Sequence, residues 1–221
     1  MVFYFGCNKI EDLKKCASLI DNGSIIIFPT DTVYGIGCDP LNDDSVLKLF
    51  KIKNRPLDKH LPVLTSNISH LSQFVEITEE ANTLINHFWP GQLTIILKLQ
   101  NNSLTSRYAF DKTIAIRIPN NMCTTKLIQM TKNKLLVGTS ANLSKHPPVT
   151  NVKDLETCNL QGYDAIVDGG RASASNSSSH VSTIVDLVEI NNPKIIREGI
   201  ISKERIFAIL KENLQEKERK K

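Results

Sequence analysis

Apolar residues recur every three to four positions over residues 8–22, with Ile10, Leu13, Ala17 and Ile20 on one face. That spacing predicts an amphipathic helix. Asn8 stands where an N-cap would, Glu11 follows three residues on, and Gly23 can stop the helix. The unbroken run 24–28 (SIIIF) then predicts a short buried strand. The helical period returns over 44–52, 79–88 and 124–131, and again from Ser202 onward. Thr78 can cap the segment 79–88, and Pro90 forbids its continuation. Strands are expected at 63–65, 93–99, 113–118, 135–139, 165–168, 183–187 and 194–197. Helices interleaved with so many strands predict an α/β fold: one domain on a twisted, mixed β-sheet flanked by helices. Its expected extent is 1–202, with a C-terminal helix and charged, solvated tail over 203–221.

Two stretches break the periodic pattern. Residues 169–180 read GGRASASNSSSH, too small and polar for a core, and are expected to be a loop. Residues 25–38 read IIIFPTDTVYGIGC, where a buried strand runs into a proline, hydroxyls and glycines. A hairpin would explain them; so would a ligand, met by the hydroxyls of Thr30, Thr32 and Tyr34 and approaching the bare backbone of Gly35 and Gly37.

The bulk numbers narrow the class. The chain has 221 residues, 41% hydrophobic and 23% charged, with a net charge of +4. That is an ordinary globular composition whose mild positive balance permits an anionic partner without requiring one. Five cysteines without a CxxC pair argue against a disulfide framework or zinc site and point to a reducing, cytoplasmic setting. No run reaches the roughly 18 apolar residues of a membrane span. The phosphate loop GxxxxGK[ST], the GxSxG elbow and HExxH are all missing, and the histidines are scattered.

The positive signals are separate. Lys51, Lys53 and Arg55 cluster near a helix end, where cations can neutralise a polyphosphate or simply sit in water. Thr139, Ser140 and Asn142 follow the strand LLV, at a strand end that can bind a ligand or cap a turn. Arg117 lies in an apolar strand and needs a partner, either a substrate carboxylate or an internal ion pair.

Taken together, the ordered blocks FPTDTVYGIG, KNRP, FWPGQLTIIL, AIRIP, TSAN, DGG, STIVD and IIREG resemble the YrdC/Sua5 family of threonylcarbamoyl-AMP synthases. The resemblance covers roughly residues 8–200, and the KxR and SxN pair (Lys53, Arg55, Ser140, Asn142) is a family hallmark. It implies a short, YrdC-type enzyme that joins L-threonine, bicarbonate and ATP into threonylcarbamoyl-AMP and releases pyrophosphate. The product would feed t6A formation in tRNA through separate partner proteins. By this resemblance Lys53 and Arg55 are the catalytic pair. Lys51, Lys53, Arg55, Thr113, Ser140, Asn142, Thr150 and Arg197 would contact ATP, with Mg2+ bridging its phosphates and no protein metal ligand named. Thr32, Tyr34, His60, Arg117 and Ser182 would frame threonine, and the serine-rich loop would close as a lid. Lys145, His146 and Gln92 depart from the usual pattern in the loops. Two other readings stand beside this one: a module that contacts tRNA or double-stranded RNA without ATP turnover, and a carbamoyl-adenylate enzyme with another acceptor.

Overall fold

The computed structural model describes residues 1–100, 104–144, 146–172, 181–189 and 192–218. In chain order the elements are β1 (Phe3–Gly6), α1 (Ile10–Asp21), β2 (Ile26–Phe28), β3 (Gly35–Gly37), α2 (Asp43–Lys53) and β4 (Val63–Thr65). There follow α3 (Glu79–Phe88), β5 (Leu93–Lys98), β6 (Thr113–Arg117), α4 (Met122–Met130), β7 (Leu135–Val137) and β8 (Thr139–Ser140). The chain closes with β9 (Ala165–Asp168), β10 (Thr183–Asp186), β11 (Lys194–Arg197) and α5 (Lys203–Glu218).

The α/β class and mixed pairing are as expected, but the strands divide into two sheets. One has the order β1-β9-β2-β3-β8, the other β11-β10-β5-β6-β4-β7. Each mixes parallel and antiparallel neighbours. β2 is buried along its whole length, which explains its purely apolar sequence. The run 135–139 is not one strand. β7 belongs to the larger sheet, and after Gly138 the chain enters the smaller one as β8. Periodicity cannot show such a crossing, because both segments stay extended.

Three strands have no signal in the pattern. β1 is an edge strand with Phe3 and Tyr4 exposed, β3 is mostly glycine, and β8 has two residues. β3 makes Pro29–Tyr34 the connection of a hairpin, pairing Phe28 with Gly35. Gly37 is not kept bare for a ligand. A Cβ there would lie 1.6 Å from the carbonyl oxygen of Val137, so the glycine lets β3 cross close to β7.

Two apolar clusters form the core. Val46, Leu49 and Phe50 of α2 pack with residues of α3, α5 and the larger sheet. Leu13, Ala17 and Ile20 of α1 pack with Leu127 and Ile128 of α4 over β2. Thr78 caps α3 through the Ala81 N–H at 3.2 Å, as expected. Asn8 does not cap α1; Lys9 holds that position without a side-chain bond, and Asp12 accepts instead from the Gly6 N–H at 2.9 Å. α5 docks through Ile206 and Leu210, and its Asn213 amide donates to the Thr83 hydroxyl at 2.7 Å. No helix among the described residues is long and apolar enough to cross a membrane.

The expectation of unpaired cysteines is corrected. Cys7, after β1, and Cys123, in the first turn of α4, form a disulfide. Their sequence separation of 116 hid the pairing, since only the packing of α1 against α4 brings β1 and α4 together. Cys16, Cys38 and Cys158 are free.

Candidate functional site

Strand alternation builds the floor of the main cavity. In β5, Leu93, Ile95 and Leu97 point into the core, which leaves Thr94 and Ile96 on the opposite face. With Ala115 and Arg117 of β6 and Ile184 of β10 they floor a cleft of about 460 Å³. Gly35, Thr139 and Ser140 of the smaller sheet wall it, together with Thr30 and Thr32 of the hairpin connection. Arg55, Asp58, Lys59 and His60 come from the segment after α2, and Ser182 and Arg197 complete the lining.

The hairpin connection is held by its own hydroxyls. Thr30 Oγ1 donates to the Val33 carbonyl at 2.6 Å and accepts from the N–H groups of Thr32 and Val33. The Thr32 hydroxyl lies 2.9 Å from that of Thr30. Such side-chain bonds satisfy a buried turn that no ladder serves.

Arg117 has the internal partner that sequence left open. Its Nη2 donates to Asp31 Oδ1 at 2.6 Å, Nη1 to the Thr32 hydroxyl at 3.3 Å, and Nε to the Gly91 carbonyl at 2.8 Å. Burial pushes its pKa down, and Asp31 works against that shift. A buried pair of this kind adds little net stability after desolvation, but it fixes the guanidinium plane. Asp31 Oδ2 is buried and has no hydrogen-bond partner among the described residues.

Arg55 braces the segment that follows it. Nε donates to the Lys59 carbonyl at 2.9 Å and Nη2 to that of His60 at 3.0 Å. Two of five N–H donors are thus engaged, and the remaining ones leave capacity for a ligand at the cleft wall. Arg197 donates through Nε and Nη2 to the Ser182 carbonyl, and through Nη2 to its hydroxyl at 3.1 Å. Its pKa is lowered by burial, then by the charges of Arg117 and Arg55. The Ser182 hydroxyl also meets that of Thr94, at 3.1 Å. Four cations, Arg55, Lys59, Arg117 and Arg197, therefore face one cleft, against the carboxylates of Asp58 and Asp31. An anion placed there gains from all of them.

Thus the structure brings Thr32, Arg55, His60, Arg117, Ser140, Ser182 and Arg197 to one cavity. Asn142 and Thr150 line a second, of about 280 Å³. Four predicted residues stand apart from both. Lys51 is exposed on α2, and Thr113 is half-buried at the start of β6, paired with Lys98. Tyr34 is fully buried, its hydroxyl donating to the Gly170 carbonyl at 2.7 Å and accepting from the Gly169 N–H. Burial pushes that phenol up to about 12. Lys53 is 2% exposed and donates to the carbonyls of Ser140 and Asn142, the latter at 2.6 Å. Burial, then Arg55, lowers its ammonium to about 8. Asp58, Lys59 and Thr94 line the cleft without having been singled out, and Thr30 and Thr139, which lay within the sequence signals, line it as well. Thr94 did leave a signal, a polar residue amid the apolar strand LTIILK. The expected serine-rich lid lies outside the described residues from 173 to 180.

The fold and the cleft define a class: a two-sheet α/β protein whose cationic, hydroxyl-rich cavity suits a small anionic ligand. The chain belongs to the Sua5/YciO/YrdC family, whose model, described as telomere recombination, matches residues 18–199. It is 35% identical over 201 residues to the threonylcarbamoyl-AMP synthase of Bacillus subtilis, covering 90% of this chain and 56% of that protein. A threonylcarbamoyl-AMP synthase of Photobacterium profundum is 27% identical, over 81% of this chain and 98% of its own length. Among solved structures, that of Pyrococcus abyssi Sua5 complexed with L-threonine superposes with a TM-score of 0.83 at 28% identity, over 95% of this chain and 61% of that one. The chain thus spans little more than half the length of some relatives it matches.

Proposed function

We propose that the chain forms threonylcarbamoyl-AMP from L-threonine, bicarbonate and ATP. The observation that carries this is the gathering of Arg55, Arg117, Arg197, Ser140 and Ser182 in one cleft, in a chain similar to a Sua5 that binds L-threonine. The threonine amine and bicarbonate give N-carboxythreonine and water. A carbamate oxygen then attacks the α-phosphorus of ATP, and pyrophosphate leaves. No protein nucleophile takes part. The protein's contribution is alignment of two anions and stabilisation of charge developing on the phosphorus oxygens.

Arg55, Lys59 and Arg197 hold the phosphates in this reading. Ser140, Asn142 and Thr150 contact the nucleotide. Thr32, Arg117 and Ser182 orient threonine, with Arg117 presenting its unengaged donors to the carboxylate. Mg2+ enters as the Mg–ATP complex, with Asp58 the carboxylate on the cleft wall among the described residues, which hold no group of three or more metal-ligating side chains. The product passes to tRNA-modifying partner proteins in the cytoplasm. The test is pyrophosphate release with ATP, bicarbonate and each amino acid in turn. Release that needs threonine and bicarbonate together supports the reading; release indifferent to the amino acid sinks it.

A further inference from the structure

Lys53 and Arg55 are neighbours in one motif, yet the fold sends them in opposite directions. α2 ends at Lys53, and Asn54 takes a left-handed conformation with φ 48°. That turn sends Arg55 to the cleft wall and leaves Lys53 buried. Its ammonium meets two carbonyls two residues apart, those of Ser140 and Asn142. A backbone bond closes the same contact from the other side, the Ser144 N–H donating to the Lys53 carbonyl at 3.0 Å. The segment so tied walls both cavities, since Ser140 lines the main cleft and Asn142 the second one. Lys53 lines neither.

We infer that Lys53 is a positioning residue, a buried strut that sets the Ser140–Asn142 segment in place, and not a contact to the phosphates. β8 is only two residues long, and beyond it the segment runs on as irregular backbone. Its carbonyls at 140 and 142 turn towards α2; that of Ser140 also accepts from the Asn142 N–H at 2.9 Å, and the Lys53 ammonium reaches both. A lysine serves because its ammonium offers three donors at the end of a flexible stem. An ammonium swung out to a phosphate would leave the Asn142 carbonyl without its side-chain donor, at the cost of a buried unpaired acceptor. Arg55, two residues on, already presents a cation at the cleft wall.

The inference rests on the proposed function only for its nucleotide readout. The full chain is compared with Lys53→Met, which keeps the stem and removes the donors, and with Lys53→Arg, which restores them. In the ligand-free protein, amide exchange over 139–144 should be at least tenfold faster in Lys53→Met, with α3 unchanged, and should be partly restored in Lys53→Arg. Affinities for ATP and AMP should then fall by the same factor, because the whole wall is displaced. If exchange over 139–144 is unchanged, Lys53 does not hold the segment, and if ATP affinity falls at least tenfold while AMP affinity holds, Lys53 contacts the phosphates; either result overturns the inference. Should Lys53→Met not fold, Lys53→Gln, whose shorter side chain cannot span both carbonyls, carries the same comparison against the native chain. A native chain that binds neither nucleotide would refute the proposed function, while the exchange result would still decide the strut.

Discussion

At the scale of single residues, polar side chains in this protein divide between those that face the cleft and those that hold the backbone around it. Arg55 does both. Arg55→Ala should weaken ATP binding by about 10- to 150-fold, the loss of one charge-assisted contact worth roughly 1.5–3 kcal/mol. Lysine in its place should rescue only part, since a point charge cannot both brace two carbonyls and grip a phosphate. Isothermal titration on folded variants checks this, and native affinity in Arg55→Ala would remove the residue from the site. Lys53 makes a separate prediction through its proton. Its ammonium is lowered from 10.5 to about 8, by burial first and Arg55 second, with Cys158 opposing. Between those values the unfolded chain holds a proton that the folded one has released, so stability rises with pH across that window. Below about 8 both states are protonated and the burial penalty is fully present. The native chain should therefore gain, relative to Lys53→Met, up to about 3 kcal/mol from pH 8 to 10.5, read from urea unfolding. A flat difference would mean that Lys53 titrates normally.

At the scale of elements, the contacts that matter join segments far apart in sequence. The disulfide ties the end of β1 to the start of α4, across 116 residues. A cross-link over so long a loop restrains the unfolded chain, by roughly 2–4 kcal/mol in ordinary cases. Cys7→Ser, or reduction of the native chain, should lower unfolding stability by about that amount. Equal denaturation midpoints with and without reductant would show that the bond contributes nothing in solution. Cys7 also lies beside Gly169, where an added Cβ would come within 3.1 Å of its sulfur, and the next residue, Gly170, accepts from Tyr34. The bridge therefore packs against the Gly169–Gly170 turn.

At the scale of the whole molecule, the cleft exists because two sheets share one chain, with residues from both lining one cavity. Its hydroxyls imply a rule for substrates. Thr32, Thr94 and Ser182 present hydroxyls on the lining with hydrogen-bonding capacity beyond their internal bonds, so a ligand without a side-chain hydroxyl forgoes contacts that threonine makes. Serine, which lacks only a methyl, should lose about 10- to 200-fold against threonine in kcat/KM for pyrophosphate release, and alanine should lose more. Alanine turned over as well as threonine would mean that the hydroxyls serve the fold alone.

Much of this was already written in the order of residues. The helical period located the five α-helices of the described residues, and β-rich apolar runs located most strands, because those signals depend only on neighbours a few positions apart. The motif blocks named Arg55, Arg117, Ser140, Ser182 and Arg197, and all five meet in one cavity. What only the tertiary structure decided is the direction of each side chain and the identity of its partner. Lys53 and Arg55 read alike in sequence, and a single left-handed residue parts them. Tyr34 reads as a ligand and is spent on the Gly169–Gly170 turn; Gly37 reads as an opening and is closed by Val137. The partners of Arg117 and Cys7 lie 86 and 116 residues away. No local pattern reports such distances, because burial and pairing are set by where separate elements pack.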